Sequence, residues 1–186
     1  MAKQFPALDQ AKRDFILRQH IFFTASATAD SRINISPREI GALRILGDNT
    51  VAYLDRTGSG NETAAHMLAD GRLTIMFCAV EGPPQIMRLY GRGTSVPWDS
   101  EAFTRIIADH YAGAAPLGTR QIMRLDFDLV QTSCGYGVPL FDYAGERASM
   151  ENWHDNKGPD GIRDYWDREN RTSMDGLPTG LTVPDA

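Results

Sequence analysis

The order of apolar and polar positions divides the chain into short elements of two periods. Residues 9–19 place Ala11, Phe15, Ile16 and Gln19 at helical spacing behind Asp9, a capping residue. The period then shortens. Apolar and hydroxyl side chains alternate from Phe22 to Thr28, Asp30-Ser31 turns the chain, and Ile33 and Ile35 point opposite to Arg32, Asn34 and Ser36. Leu43 and Ile45 begin a short strand ended by Gly47-Asp48-Asn49, and Val51 to Arg56 forms the next. The run Thr57-Gly58-Ser59-Gly60-Asn61 breaks this pattern, and a helix over about 62–69 follows, closed by Asp70-Gly71. Arg72 to Val80 reads as a strand. Its six consecutive apolar residues, Ile75 to Val80, predict burial on both faces. Ile86 to Arg92 is a further strand, and Asp99 or Ser100 caps a helix reaching about Tyr111. Met123, Leu125, Phe127 and Leu129 oppose Arg124, Asp126 and Asp128 in the plainest alternation of the chain. Helices near 146–154 and 160–170 precede an irregular tail from Arg171, rich in Gly, Pro and Thr.

Six or seven strands joined mostly by short connections do not suit a doubly wound parallel sheet. They predict a mainly β, α+β protein: an antiparallel barrel with short peripheral and C-terminal helices. At 186 residues the chain suits a single domain. Its net charge of -5 opposes a broad grip on nucleic acid, which needs Lys and Arg against phosphates. Cys78 and Cys134 do not make a disulfide framework, and no apolar stretch is long enough to span a bilayer. Residues 1–14 lack the apolar core of a secretory signal. The expectation is a cytoplasmic protein without nucleic-acid or membrane partners.

Chemistry concentrates at the glycine turn. Its glycines permit close backbone approach, and free N–H groups at the following helix start attract an anion such as phosphate. The same residues also read as a capping box, Ser59 with Glu62, which needs no ligand. Asn34, Ser36 and Arg38 form one strand face, either a ligand surface or a solvated one. Arg88 and Arg92 form either a positive strip or ordinary surface charge. Asp55 either orients a ligand or pairs with Arg56 or Arg72. His20, His66, His110 and His154 have no metal-ligand spacing, so no metal site is expected. Cys134 is a small residue between glycines or a reactive thiol. Trp153, Tyr165 and Trp166 are expected to pack the C-terminal helices onto the barrel or a partner.

The sequence of features from Asn34-Ile35-Ser36-Pro37-Arg38 through Ala42-Leu43-Arg44-Ile45-Leu46, Thr50-Val51-Ala52-Tyr53-Leu54-Asp55, Gly58-Ser59-Gly60-Asn61 and Asp70-Gly71-Arg72 resembles the pyridoxamine 5′-phosphate oxidase-like split barrels. The resemblance covers about 15–131, with a C-terminal helical extension over about 140–186. Gln131 to Pro139 and Asp175 to Gly180 are similar to an oxidase-related subgroup. The resemblance implies a six-stranded antiparallel barrel, a homodimer and FMN in the clefts between subunits. It places Arg38, Thr57, Ser59, Asn61 and Thr63 near the phosphate and ribityl chain. Arg44 and Arg88 are further candidate contacts, and the flavin ring rests near Asn34 to Ser36. It implies an FMN-dependent oxidoreductase acting on a small substrate, in which the cofactor supplies the redox chemistry and no catalytic side chain is assigned. The alternative is a non-catalytic flavin, deazaflavin or haem carrier on the same barrel. One departure is plain: the established oxidases carry Ser-Arg-Lys where this chain has Asn61-Glu62-Thr63. A charged hydrogen bond is worth about 1.5–3 kcal/mol, so the lost cations call for compensation elsewhere.

Overall fold

The computed structural model describes residues 2–183. Eight strands form one continuous antiparallel sheet: β1 (Lys3–Phe5), β2 (Ile21–Ser26), β3 (Asn34–Glu39), β4 (Leu43–Ile45), β5 (Thr50–Arg56), β6 (Arg72–Cys78), β7 (Gln85–Pro97) and β8 (Thr119–Cys134). Their order is β3-β2-β6-β7-β8-β5-β4, with β1 added beside β8. The sheet curls into a split barrel. The six strands that the resemblance implies become eight: the short β4 is the one the pattern places at Leu43 and Ile45, and β1, which depends on β8 for its pairing, is the addition the pattern does not foresee. The sixteen-residue β8 takes β7 along one edge. Its other edge pairs with β5 over Thr119–Asp126 and with β1 over Val130–Thr132.

Four helices cover the sheet: α1 (Gln10–Leu17), α2 (Glu62–Ala69), α3 (Glu101–His110) and α4 (Ser149–Tyr165). Asp9 caps α1 by accepting from the Lys12 amide, and Ser100 caps α3 by accepting from the Phe103 amide. Gly71 takes φ +77° just beyond α2, where its amide reaches back to the His66 carbonyl. The two expected C-terminal helices are both present: α4 is broken at Gly158, φ 65° and ψ 173°, into two helical segments, and the second is continued by a π-helical turn, Trp166–Asn170.

The core lies inside the curl. Phe22, Tyr53, Ile75, Phe77, Met87, Leu89, Ile122 and Leu125 are fully buried there, each worth about 1.5–3 kcal/mol of transfer free energy. On β6 only alternate residues are sealed in. Thr74, Met76 and Cys78 are half-buried on the other face, so burial on both faces is corrected to burial on one. The polarity of β3 is inverted relative to an ordinary surface strand. Asn34, Ser36 and Arg38 turn inward, while Ile35 is 65% exposed and the preceding Ile33 is 72% exposed. The inward polar face meets the end of β5 and the start of α2.

Candidate functional site

A cavity of about 410 Å³ opens where these three elements converge. One wall is the inner face of β3, another is the glycine turn and the first residues of α2, and Arg120 of β8 and Met150 of α4 complete it. Its floor is an ion triad. Asp55 is buried and its Oδ2 accepts from Arg120 Nε at 2.8 Å and Gln121 Nε2 at 2.7 Å. Arg38 Nη1 lies 2.9 Å from Asp55 Oδ1 as an ion pair that lacks hydrogen-bond alignment. Burial alone would raise the Asp55 carboxyl. The Arg120 and Arg38 guanidinium groups and the donated hydrogen bonds outweigh it and hold the carboxyl below its ordinary value. Asp55 therefore pairs with Arg38 and Arg120, not with Arg56 or Arg72.

Arginine nitrogens around this floor remain unused. Among the described residues, Arg38 Nε, Arg56 Nε and Arg120 Nη1 are buried without a protein acceptor. Buried donors of this kind are costly when unpaired, and with Arg38 and Arg120 in its floor the cavity lining suits an anion. The helix start adds to them. Asn61 occupies the N-cap position of α2 but makes no side-chain cap bond. Its Oδ1 instead accepts from Gln121 Nε2 at 2.6 Å, and its Nδ2 donates to the Asn170 carbonyl at 3.1 Å. The capping box does not form. The Glu62 carboxylate accepts from the Met174 amide at 3.1 and 3.2 Å, and so is held by the tail. The first turn of α2 thus presents its N–H groups to the cavity without a side-chain cap.

The residues read from sequence divide accordingly. Asn34, Ser36, Arg38, Thr57, Ser59, Asn61 and Thr63 line this cavity. Asn34 Nδ2 donates to Thr63 Oγ1 at 3.1 Å, joining β3 to α2. Arg44 and Arg88 lie outside it. Arg44 donates to the carbonyls of His110, Gly41 and Leu43 and stacks over Tyr111, so it staples α3 to the sheet. Arg88 reaches toward Ser133 on β8. Arg120 and Arg56 are cavity residues that the pattern of the chain does not disclose. Arg120 meets Asp55 only because β5 and β8 are paired, across 65 positions of sequence.

A second, apolar chamber of about 750 Å³ adjoins the first and shares Pro37, Arg38 and Met150 with it. Ile21, Phe23, Val80, Val138 and Phe141 line it, and the His20 and Tyr143 rings stack 3.8 Å apart at its side. Glu39 sits at its edge, where partial burial pushes its carboxyl up. Of the other histidines, His66 is on the buried face of α2 against Ser26, His110 is exposed at the end of α3, and His154 is sealed behind the glycine turn.

A curled antiparallel sheet with an arginine-floored cavity at a strand-to-helix glycine turn defines a split barrel with a cation-lined site. Residues 8–134 match the family described as pyridoxamine 5′-phosphate oxidase, and the chain belongs to that family. It is 33% identical over 192 residues to the pyridoxamine 5′-phosphate oxidase family protein ustO of Aspergillus flavus, across 94% of this chain and 76% of that protein. Two solved structures share the fold. HupZ from Group A Streptococcus aligns with a TM-score of 0.52 at 19% identity, over 67% of this chain and 98% of its own. HutZ, the haem storage protein of Vibrio cholerae, aligns with a TM-score of 0.50 at 17% identity, over 69% and 97%.

Proposed function

We propose that this protein is an FMN-dependent oxidoreductase acting on a small substrate. The observation that carries the reading is the pairing of an arginine-floored polar cavity with an adjoining apolar chamber. The first suits a phosphate and a hydroxylated chain, and the second suits a planar ring system. Arg38, Arg120 and the first turn of α2 hold the phosphate. Asn34, Ser36 and Thr63 face the ribityl chain. The cations missing from Glu62 and Thr63 are supplied from strands β3 and β8 instead of from the helix. Bound FMN supplies hydride or single-electron transfer, and the protein contributes position and electrostatics.

The protein works as a homodimer in this reading. Ile35 on the edge strand β3 and Ile33 just before it, both exposed beside the cavity, form an apolar strip that a second copy covers. Its compartment is the cytoplasm, in keeping with Cys78 and Cys134 both being free. Among the described residues no helix is long and apolar enough to cross a membrane. The visible spectrum of the purified protein tests the function. A bound flavin that a chemical reductant bleaches and air restores is expected; a colourless protein that takes up no added FMN contradicts it.

One observation favours a second reading, a haem carrier. His20 is the histidine that lines the apolar chamber. A haem band abolished by His20→Ala would establish that reading in place of the first.

A further inference from the structure

The family match ends at residue 134, yet the chain beyond it seals the back of the glycine turn. Gly158 redirects α4, and the π-helical turn sets Trp166 and Asn170 against β5 and the turn. His154 Nε2 donates to the Thr57 carbonyl at 3.2 Å, and Trp166 Nε1 donates to Thr57 Oγ1 at 2.7 Å. Asn170 Nδ2 donates to the Gly58 carbonyl at 3.1 Å. His154 and Asn170 are fully buried and Trp166 nearly so. The seat is tight, because a Cβ on Gly118 would collide with the His154 ring.

These bonds fix the direction of two peptide planes. Among the described residues every peptide is trans, so each N–H points opposite to the carbonyl before it. The Thr57 and Gly58 carbonyls are drawn back toward the extension. The N–H groups of Gly58 and Ser59 must then face the other way, toward the side on which the turn lines the cavity. The Thr57 hydroxyl is fully committed, since it donates to the Gly118 carbonyl at 2.7 Å while accepting from Trp166. The extension therefore aims backbone donors at the anion without touching it.

We propose that the C-terminal extension is a positioning device for the phosphate-binding turn, with His154, Trp166 and Asn170 as its positioning residues. The proposal rests on the flavin reading for the identity of the anion. It also carries a dependence on pH. Nδ1 of His154 takes its hydrogen bond from Arg56 Nη2 at 3.0 Å, so the imidazole is neutral with its proton on Nε2. A second proton on Nδ1 would set two cations against each other. Arg56 of β5 opposes that proton, while Glu151 and Asp155 on α4 favour it. Glu151 is already engaged by Arg56 at 2.5 Å. Protonation takes from Arg56, a cavity residue, the Nδ1 acceptor that holds its Nη2, while the Nε2–H still donates to the Thr57 carbonyl.

FMN and riboflavin titrations, followed by quenching of flavin fluorescence, test this on the full chain. Trp166→Phe removes one buried N–H and keeps an aromatic body. It is expected to weaken FMN about tenfold, the scale of one hydrogen bond, and to leave riboflavin, which has no phosphate, unchanged. Burial first, and then Arg56, hold the His154 imidazole below its ordinary value, so below about pH 6.5 the pH dependence of wild-type FMN affinity is expected to differ from that of His154→Gln. Protonation of the FMN phosphate itself is common to both proteins. An equal loss of both flavins in Trp166→Phe, or superimposable pH curves, would overturn the proposal. If the wild type binds neither flavin, the functional reading fails instead. Amide hydrogen exchange across 57–61 then decides the positioning role: faster exchange in Trp166→Phe upholds it and unchanged exchange ends it.

Discussion

Asp55 is a full negative charge with almost no access to water, and it is tolerated because two guanidinium groups share it. Its carboxyl titrates below the ordinary 3.8 in the folded protein. The stability it contributes is present above that ordinary value and is lost as pH falls through the lower folded value. Asp55→Asn is expected to cost about 3–5 kcal/mol by leaving Arg38 and Arg120 facing each other. It should also flatten the acid limb of a plot of urea midpoint against pH. An unchanged acid limb would place the acid sensitivity elsewhere. Arg38 has a second role, as a cavity donor. Arg38→Ala should weaken FMN about ten- to hundredfold, the worth of a charged hydrogen bond, measured by flavin fluorescence. At this scale the sequence is informative where neighbours are local. Asn34, Ser36 and Arg38 share a face through simple alternation, and Thr57 to Thr63 follow one another. Arg120 is silent in the sequence because its partner, Asp55, comes from a distant strand.

Elements whose ends carry their own signals are readable from the chain alone. Helix α2 spans Glu62–Ala69, between Gly60-Asn61 and Asp70-Gly71, as its flanking residues specify. Strand β1 has three residues and no period of its own; it exists because β8 extends far enough to offer an edge. The apolar run after Arg72 misleads for a related reason. Six apolar residues indicate burial of both faces only if both faces are covered within one chain, and here one is left half-open. The pairing of β7 with β8 supplies a test. Their register slips between Tyr90 and Gly91, and a Cβ at Gly91 would strike the Asp126 carbonyl and the Phe127 backbone. Backbone cannot move aside as a side chain can. Gly91→Ala should therefore lower the denaturant midpoint by about 2–3 kcal/mol equivalent. Gly41→Ala, with nothing within 4 Å, should stay within about 0.5 kcal/mol. Equal effects at both glycines would show that the bulge is not so closely packed.

At the scale of the whole molecule the surface is uneven in a useful way. The inner face of β3 is polar because it borders the cavity, so its apolar residues face outward. A strand edge of that kind invites pairing or covering. Light scattering should give about twice 20.6 kDa, and Ile35→Lys should reduce it to the single-chain mass. A wild-type monomer would leave the exposed Ile33 and Ile35 without an explanation. The curled antiparallel sheet was legible because alternation and short connections are repeated along the chain. The C-terminal seal was not legible, because His154, Trp166 and Asn170 acquire their meaning only once the extension folds back on a turn about 100 residues away. The central claim is that the arginine-floored cavity is a phosphate site joined to a chamber for a ring. It is tested most directly by titrating the wild-type protein with FMN and with riboflavin under the same conditions. The account predicts FMN binding at least about tenfold tighter, from the charged hydrogen bonds its phosphate receives. Equal affinity for the two flavins would contradict it.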